Sequence, residues 1–107
     1  MIADRNAGAD SAAGFDAGAD GARWTYSGAL TLAEAGSVLE AARALPLPVS
    51  GTVDCGGIGA VDSAAVGVLL ALKRRAAAEN RPLSFANVPA ALTALAGLYG
   101  VEELLAV

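Results

Sequence analysis

From Arg23 onward, stretches with the texture of strands alternate with stretches with the texture of helices, and this alternation narrows the possible folds more than any other feature. Trp24, Tyr26 and Leu30 alternate roughly with Thr25, Ser27 and Ala29, the period of a half-buried strand. Thr31 followed by Glu34 has the spacing of a helix capping box. Leu32, Ala35, Val38, Leu39 and Ala42 then recur at helical spacing to about Leu45, and Pro46 and Pro48 stop that helix. Ser50 to Cys55 reads as a short strand, and Gly56, Gly57 and Gly59 read as a loop. A second helix opens near Ser63, carries Val66, Leu69, Leu70 and Lys73 on one face, and ends at Asn80 or Arg81 before Pro82. Leu83 to Val88 is a third strand. Pro89 suits the first turn of a third helix, striped by Leu92, Leu95, Ala96 and Tyr99 and stopped by Gly100. Residues 101–107 read as a short helical turn. Three strand–helix pairs in a row predict βαβ units, a largely parallel sheet and right-handed crossovers. In such a sheet the loops after the strand ends form the functional edge.

Residues 1–22 lack this texture. Ala-Gly-Ala-Asp occurs at 7–10 and again at 17–20, and only Met1, Ile2 and Phe15 are large and apolar. So little apolar surface does not offset the cost of ordering the backbone, and the segment is expected to be a flexible low-complexity tail ahead of a domain at 23–107. The tail also holds Asp4, Asp10, Asp16 and Asp20 against Arg5, which is most of the net charge of −4. The acidity therefore says little about the domain.

Composition removes several function classes. The chain is 55% hydrophobic, but 27 of its 107 residues are alanine, which leaves an ordinary supply of larger apolar side chains for one small core. The longest apolar stretch, Ala64–Leu72, contains Gly67 and falls far short of the roughly 18 residues of a membrane helix. The first ten residues have no apolar block, so no secretory signal is expected there. The expectation is a soluble cytoplasmic protein with no direct membrane insertion. There is no histidine, the commonest general base and metal ligand. The single cysteine, Cys55, excludes an internal disulfide and a multi-cysteine zinc site. An acidic balance argues against nucleic acid as a partner. No cofactor, metal site or catalytic residue is expected.

The glycine loop fails as a phosphate cradle. A Gly-x-Gly-x-x-Gly frame starting at Gly57 ends on Asp62, whose carboxylate would repel a pyrophosphate, and no Gly-Lys-Ser/Thr follows. Asp62-Ser63 at the start of the second helix is the sharper signal. Both residue types are favoured N-caps. The functional alternative is an exposed serine at a helix N-terminus, where added phosphate would be stabilised by free N–H groups and would change a docking surface. Asp54 and Asp62 read as turn and helix caps rather than as an acid–base pair, and Cys55 reads as a small core residue. Lys73-Arg74-Arg75 reads as a solvated face that favours the helix C-terminus, with an acidic partner as the alternative.

A strand ending in Val53-Asp54, a glycine-containing loop, and Val61-Asp62-Ser63-Ala64-Ala65 opening a helix resemble the STAS domain, with the likeness running across roughly residues 23–107. Within that family the chain is most similar to the MlaB type, the cytoplasmic STAS subunit of the ABC complex that moves phospholipids between bacterial membranes. Ser27-Gly28-Ala29-Leu30-Thr31, Val61-Asp62-Ser63 with Leu69-Leu70-Ala71-Leu72, and Phe85-Ala86-Asn87-Val88-Pro89 with Leu92, Leu95, Tyr99-Gly100-Val101 and Leu104-Leu105 carry this likeness. It implies an α/β STAS fold, a small mostly parallel or mixed sheet of about four strands with helices packed on it. It further implies a non-catalytic adaptor that binds the transporter's ATPase subunit and lies peripheral to the inner membrane through that partner. The partner-binding or regulatory residues it implies are Ile58, Asp62, Ser63, Ala64, Val66 and Gly67. The alternative within the family is an anti-sigma factor antagonist, phosphorylated at Ser63 by an anti-sigma factor kinase. Two positions depart from the family pattern: Ala65 stands where glycine is frequent, and Asp54-Cys55-Gly56-Gly57 where Asp-Leu-Ser-Gly is usual.

Overall fold

The computed structural model of the chain describes residues 13–105. Its elements are β1 (Gly14–Asp16), β2 (Arg23–Leu30), α1 (Leu32–Arg43), β3 (Thr52–Val61), α2 (Ser63–Ala78), β4 (Ser84–Ala86), α3 (Ala90–Leu98) and α4 (Glu102–Leu105). The strands form one sheet in the order β1-β2-β3-β4, with β1 antiparallel to β2 and the other two pairs parallel. Alternation sorts the faces of β2: Trp24, Tyr26 and Leu30 are buried, while Arg23, Thr25 and Ser27 are exposed. Val53, Cys55 and Phe85 extend the buried face across β3 and β4. The helices cover it with Val38 and Ala42 from α1, Ala65, Val66, Val68, Leu69, Leu72 and Ala76 from α2, and Leu92 and Ala96 from α3. The polar tips of the buried aromatics are satisfied, Trp24 Nε1 donating to Pro46 O at 3.1 Å and Tyr26 Oη to Ala29 O at 2.7 Å.

The capping box at Thr31 and Glu34 forms as its spacing predicts: the Thr31 side chain accepts from Ala33 N, and Glu34 Oε1 accepts from Thr31 N at 2.7 Å. At the other end of α1, Arg75 reaches across from α2 and donates to Ala42 O at 3.0 Å and Leu45 O at 2.6 Å, tying the last turn of α1 and the chain that follows it to α2. Lys73 Nζ donates to Leu83 O at 2.6 Å and lies 5.7 Å from the Phe85 ring centre. Two of the three residues of the basic cluster are therefore fasteners between elements, and only Arg74 conforms to the solvated reading.

Two further expectations are corrected. The segment read as a flexible tail contributes a strand. Phe15 pairs with Tyr26 in the β1–β2 ladder, and its ring lies 5.3 Å from that of Trp24 and 4.8 Å, edge-on, from that of Tyr26. The repeat at 17–20 belongs to the connection between these strands. Asp16 Oδ1 accepts from Gly18 N at 2.8 Å, Asp20 Oδ1 accepts from Ala22 N at 3.0 Å, and Gly18 and Gly21 take positive φ. The domain thus reaches back to about Ala13, and the remainder of the expected tail lies outside the described residues. Truncating Phe15 to alanine removes two aromatic contacts from the edge of the core. A loss of about 2 kcal/mol in urea unfolding is expected, below the 3–5 typical of a fully buried phenylalanine because Phe15 is half-buried.

The second correction concerns the glycine loop, which is strand. β3 runs through Gly56, Gly57 and Gly59 to Val61 and stays paired with β2 throughout. It has 10 residues against 8 in β2, and the excess is taken up where Thr25–Ser27 faces Asp54–Gly57 and again where Gly28–Leu30 faces Ile58–Val61. At the first of these bulges Asp54 Oδ1 accepts from Gly56 N at 2.9 Å. At Gly57 a side chain would collide with the carbonyl oxygen of Tyr26, so the strands come together there only because glycine is present. β4 is shorter than the Leu83-to-Val88 reading because Asn87 turns left-handed, φ 58, and leaves the sheet.

Candidate functional site

β3 delivers the chain directly to the N-terminus of α2, and Asp62 occupies the junction. Its backbone is extended, φ −140 and ψ −168, as an N-cap requires, and Oδ1 accepts from Ala64 N at 2.9 Å. The other oxygen, Oδ2, accepts from Leu32 N at 3.0 Å, the first residue of α1. One carboxylate therefore caps two helices and fixes their N-termini side by side at one end of the sheet. The neighbouring Glu34 carboxyl is held below its ordinary range, first by the Thr31 hydroxyl and then by the Thr31 amide.

Around this junction the residues expected to meet a partner divide. Ser63 and Gly67 are exposed, and Asp62 and Ala64 are half-buried. Ile58 and Val66 are core residues, 7% and 4% exposed, so they are corrected to structural roles: the β3 bulges turn Ile58 inward, and Val66 lies on the sheet side of α2. The open face of α2 instead follows Ser63 at intervals of four, three and four, through Gly67 and Leu70 to Arg74. Leu32 adds to it from α1, 78% exposed beside the shared cap. Spacing places Leu32 in the apolar stripe of its helix, and no sequence signal separates its exposure from the burial of Val38.

The remaining candidates for chemistry are engaged elsewhere. Asp54 accepts from Gly56 N, from Asn87 Nδ2 at 3.2 Å and from Arg23 Nη2 at 3.3 Å, and these bonds, led by that of Gly56, hold its carboxyl below the usual range. Asp54 and Asp62 thus serve separate sets of partners. Burial pushes the Cys55 thiol up to about 12, which fits the core reading and leaves no thiolate nucleophile near neutral pH. Among the described residues no group of three or more His, Cys, Asp or Glu side chains is placed to hold a metal ion. No helix among them is long and apolar enough to cross a membrane.

A mixed four-stranded sheet with helices packed on it thus carries, at the end of a central strand, a hydroxyl residue exposed just after a helix-capping aspartate. The chain matches the family described as Mlab, STAS domain, over residues 15–106, and it belongs to the STAS family. The match begins at Phe15, in the strand that composition had concealed. Comparison with curated proteins gives no match. Family membership supports an adaptor or anti-sigma-antagonist-like role in general terms.

Proposed function

We propose that the chain is a non-catalytic adaptor subunit that binds and supports the ATPase of an ABC-type phospholipid transporter, on the cytoplasmic side of the membrane. The observation that carries this reading is the open face at the doubly capped end of α1 and α2. Ser63 and Leu32 project there, and Gly67 lies in open space where an added methyl would touch nothing. A glycine inside a helix costs up to about 1 kcal/mol relative to alanine. The packing of α2 gives no return for that cost, which accords with a face that another backbone approaches closely. The family description, Mlab, favours the transporter branch of the family for that partner.

Co-expression with the ATPase and permease of an ABC phospholipid transporter from the same organism tests the reading. The expected result is co-purification and a raised ATPase rate. Ser63→Arg is expected to weaken the association at least tenfold, measured by titration calorimetry, with the urea midpoint of the free chain unchanged. An arginine here replaces an exposed side chain that makes no side-chain hydrogen bond among the described residues. Failure of the native chain to bind, or unchanged binding by the variant, would count against the reading.

One observation favours the alternative partner, an anti-sigma factor kinase. The Ser63 hydroxyl is exposed at the first position of α2, and the methyl of Ala65, at the position where the family often has glycine, is fully buried and so leaves the approach to Ser63 open. A phosphate there would add about −1.5 to −2 charges beside Asp62 and Glu34. Intact-mass measurement after incubation with the anti-sigma kinases of the same cell distinguishes the readings: a single phosphate on Ser63 supports the kinase, and an unmodified chain supports the transporter.

A further inference from the structure

Arg23, Arg43, Lys73, Arg74, Arg75 and Arg81 are the cations of the described residues. Five have partners. Arg23 pairs with Asp54, Arg43 with Glu40 and Arg75 with Glu79, while Lys73 and Arg81 donate to the carbonyls of Leu83 and Pro48. Arg74 alone makes no hydrogen bond or ion pair among the described residues, and it is exposed. It stands on the rim of a groove of about 320 Å³ lined by Leu70, Lys73, Arg74, Ala77 and Val101, between α2 and the turn that follows α3. The ammonium of Lys73 is committed inward, so the groove presents an apolar floor and one available guanidinium. An apolar cavity of about 150 Å³ is already enough to admit a benzene ring.

We infer that this groove seats an acidic amphipathic helix of the partner protein, one bulky apolar side chain entering between Leu70 and Val101 and an aspartate or glutamate one turn away pairing with Arg74. The inference rests on the proposed role of the outer face of α2 and adds the chemistry of what docks there. Ser63 and Arg74 lie on the same side of α2, about 16 Å apart at 1.5 Å rise per residue, so a single partner surface can engage both. A helix laid on a groove supplies residues at three- and four-residue spacing, which matches Gly67, Leu70 and Arg74. A carboxylate that meets Arg74 beside apolar side chains forms a charge-assisted, geometrically selective bond, and the guanidinium gives up no hydrogen bond or ion pair among the described residues to make it.

The test uses the full chain and two stapled helical peptides, one of leucine and glutamate and one with glutamine in place of every glutamate. Amide shifts are followed by NMR. The acidic peptide is expected to move the amides of Leu70, Arg74, Ala77 and Val101 and to bind at least fivefold more tightly than its neutral counterpart. Arg74→Gln should remove that preference and leave the affinity for the neutral peptide unchanged, whereas Arg43→Gln, on another helix, should leave the preference intact. No binding by either peptide, shifts confined to other surfaces, or a preference that survives Arg74→Gln would overturn the inference. The ATPase separates this result from the proposed function. If the acidic peptide occupies the groove as stated while the ATPase does not bind the chain, the transporter reading falls and the groove stands. If the ATPase binds in a Ser63-dependent way while the peptides and Arg74→Gln show nothing, the groove falls alone.

Discussion

Gly57→Ala is expected to destabilise the protein by about 3 kcal/mol, seen as a lower urea midpoint. The added methyl would meet the Tyr26 carbonyl oxygen and crowd the Tyr26 carbonyl carbon at 3.4 Å and Ser27 Cα at 3.3 Å. These are backbone atoms of the neighbouring strand, so no side-chain rotation relieves the collision. Relief requires β2 and β3 to separate at the register shift between Thr25 and Ser27. That movement would disturb the flanking Tyr26, whose ring is packed against Phe15 and whose hydroxyl is bonded to Ala29 O. The cost is therefore the overpacking of a core rather than the change of a surface residue, although Gly57 itself is exposed.

Gly59→Ala provides the contrast within the same strand. Its methyl would lie 3.8 Å from Gly28 O, an ordinary contact, and neither residue takes positive φ. A change of no more than about 0.5 kcal/mol is expected there, the size of a typical surface substitution. Equal effects at the two positions would mean that glycine is required for backbone freedom and not for close approach, and the account of the bulged strand would be wrong.

What could be read from the sequence and what could not follows the range of the interactions concerned. The capping box at Thr31 and Glu34 and the N-cap at Asp62 are satisfied within a few residues, and spacing alone predicts them. The bond from Leu32 N to the same Asp62 spans 30 residues, and nothing in the local sequence announces it. The glycines at 56, 57 and 59 look like a loop because a loop is the commoner use of such a run. Their use here is to let two strands touch, a demand set by Tyr26 on the neighbouring strand. Phe15 was hidden by its neighbours' composition, yet a signal was present. Asp16 before Gly18 and Asp20 before Gly21 are turn chemistry, and a turn implies something to turn back from. At the site, the family resemblance implies Ile58 and Val66 as partner-binding residues, yet both are buried in the core. A helix presents every third or fourth residue, and the spacing from Ser63 leads past Val66 to Gly67, Leu70 and Arg74.

Asp62→Ala is expected to cost about 3 kcal/mol, more than an ordinary N-cap replacement at about 1, because the carboxylate serves two helices and each bond has a charged acceptor. Asp62→Asn separates the two contributions. An asparagine carboxamide has one acceptor oxygen. Whichever way it turns, either Ala64 N–H or Leu32 N–H faces an NH₂ group, so about half the loss of the alanine variant is expected. Amide hydrogen exchange locates the damage: the alanine variant should lose protection at both Leu32 and Ala64, the asparagine variant at only one. If Asp62→Asn matched the native protein in urea, the bond it loses would contribute nothing and that helix end would be held by packing alone. Binding to the ATPase supplies the functional readout. Because Leu32 and Ser63 flank the shared cap, freeing the α1 N-terminus should weaken association under conditions where the asparagine variant remains fully folded, even though Asp62 is only half-exposed and its two oxygens are spent within the chain. Asp62 would then act on the partner through the spacing of two helices, as a positioning residue for Ser63 and Leu32.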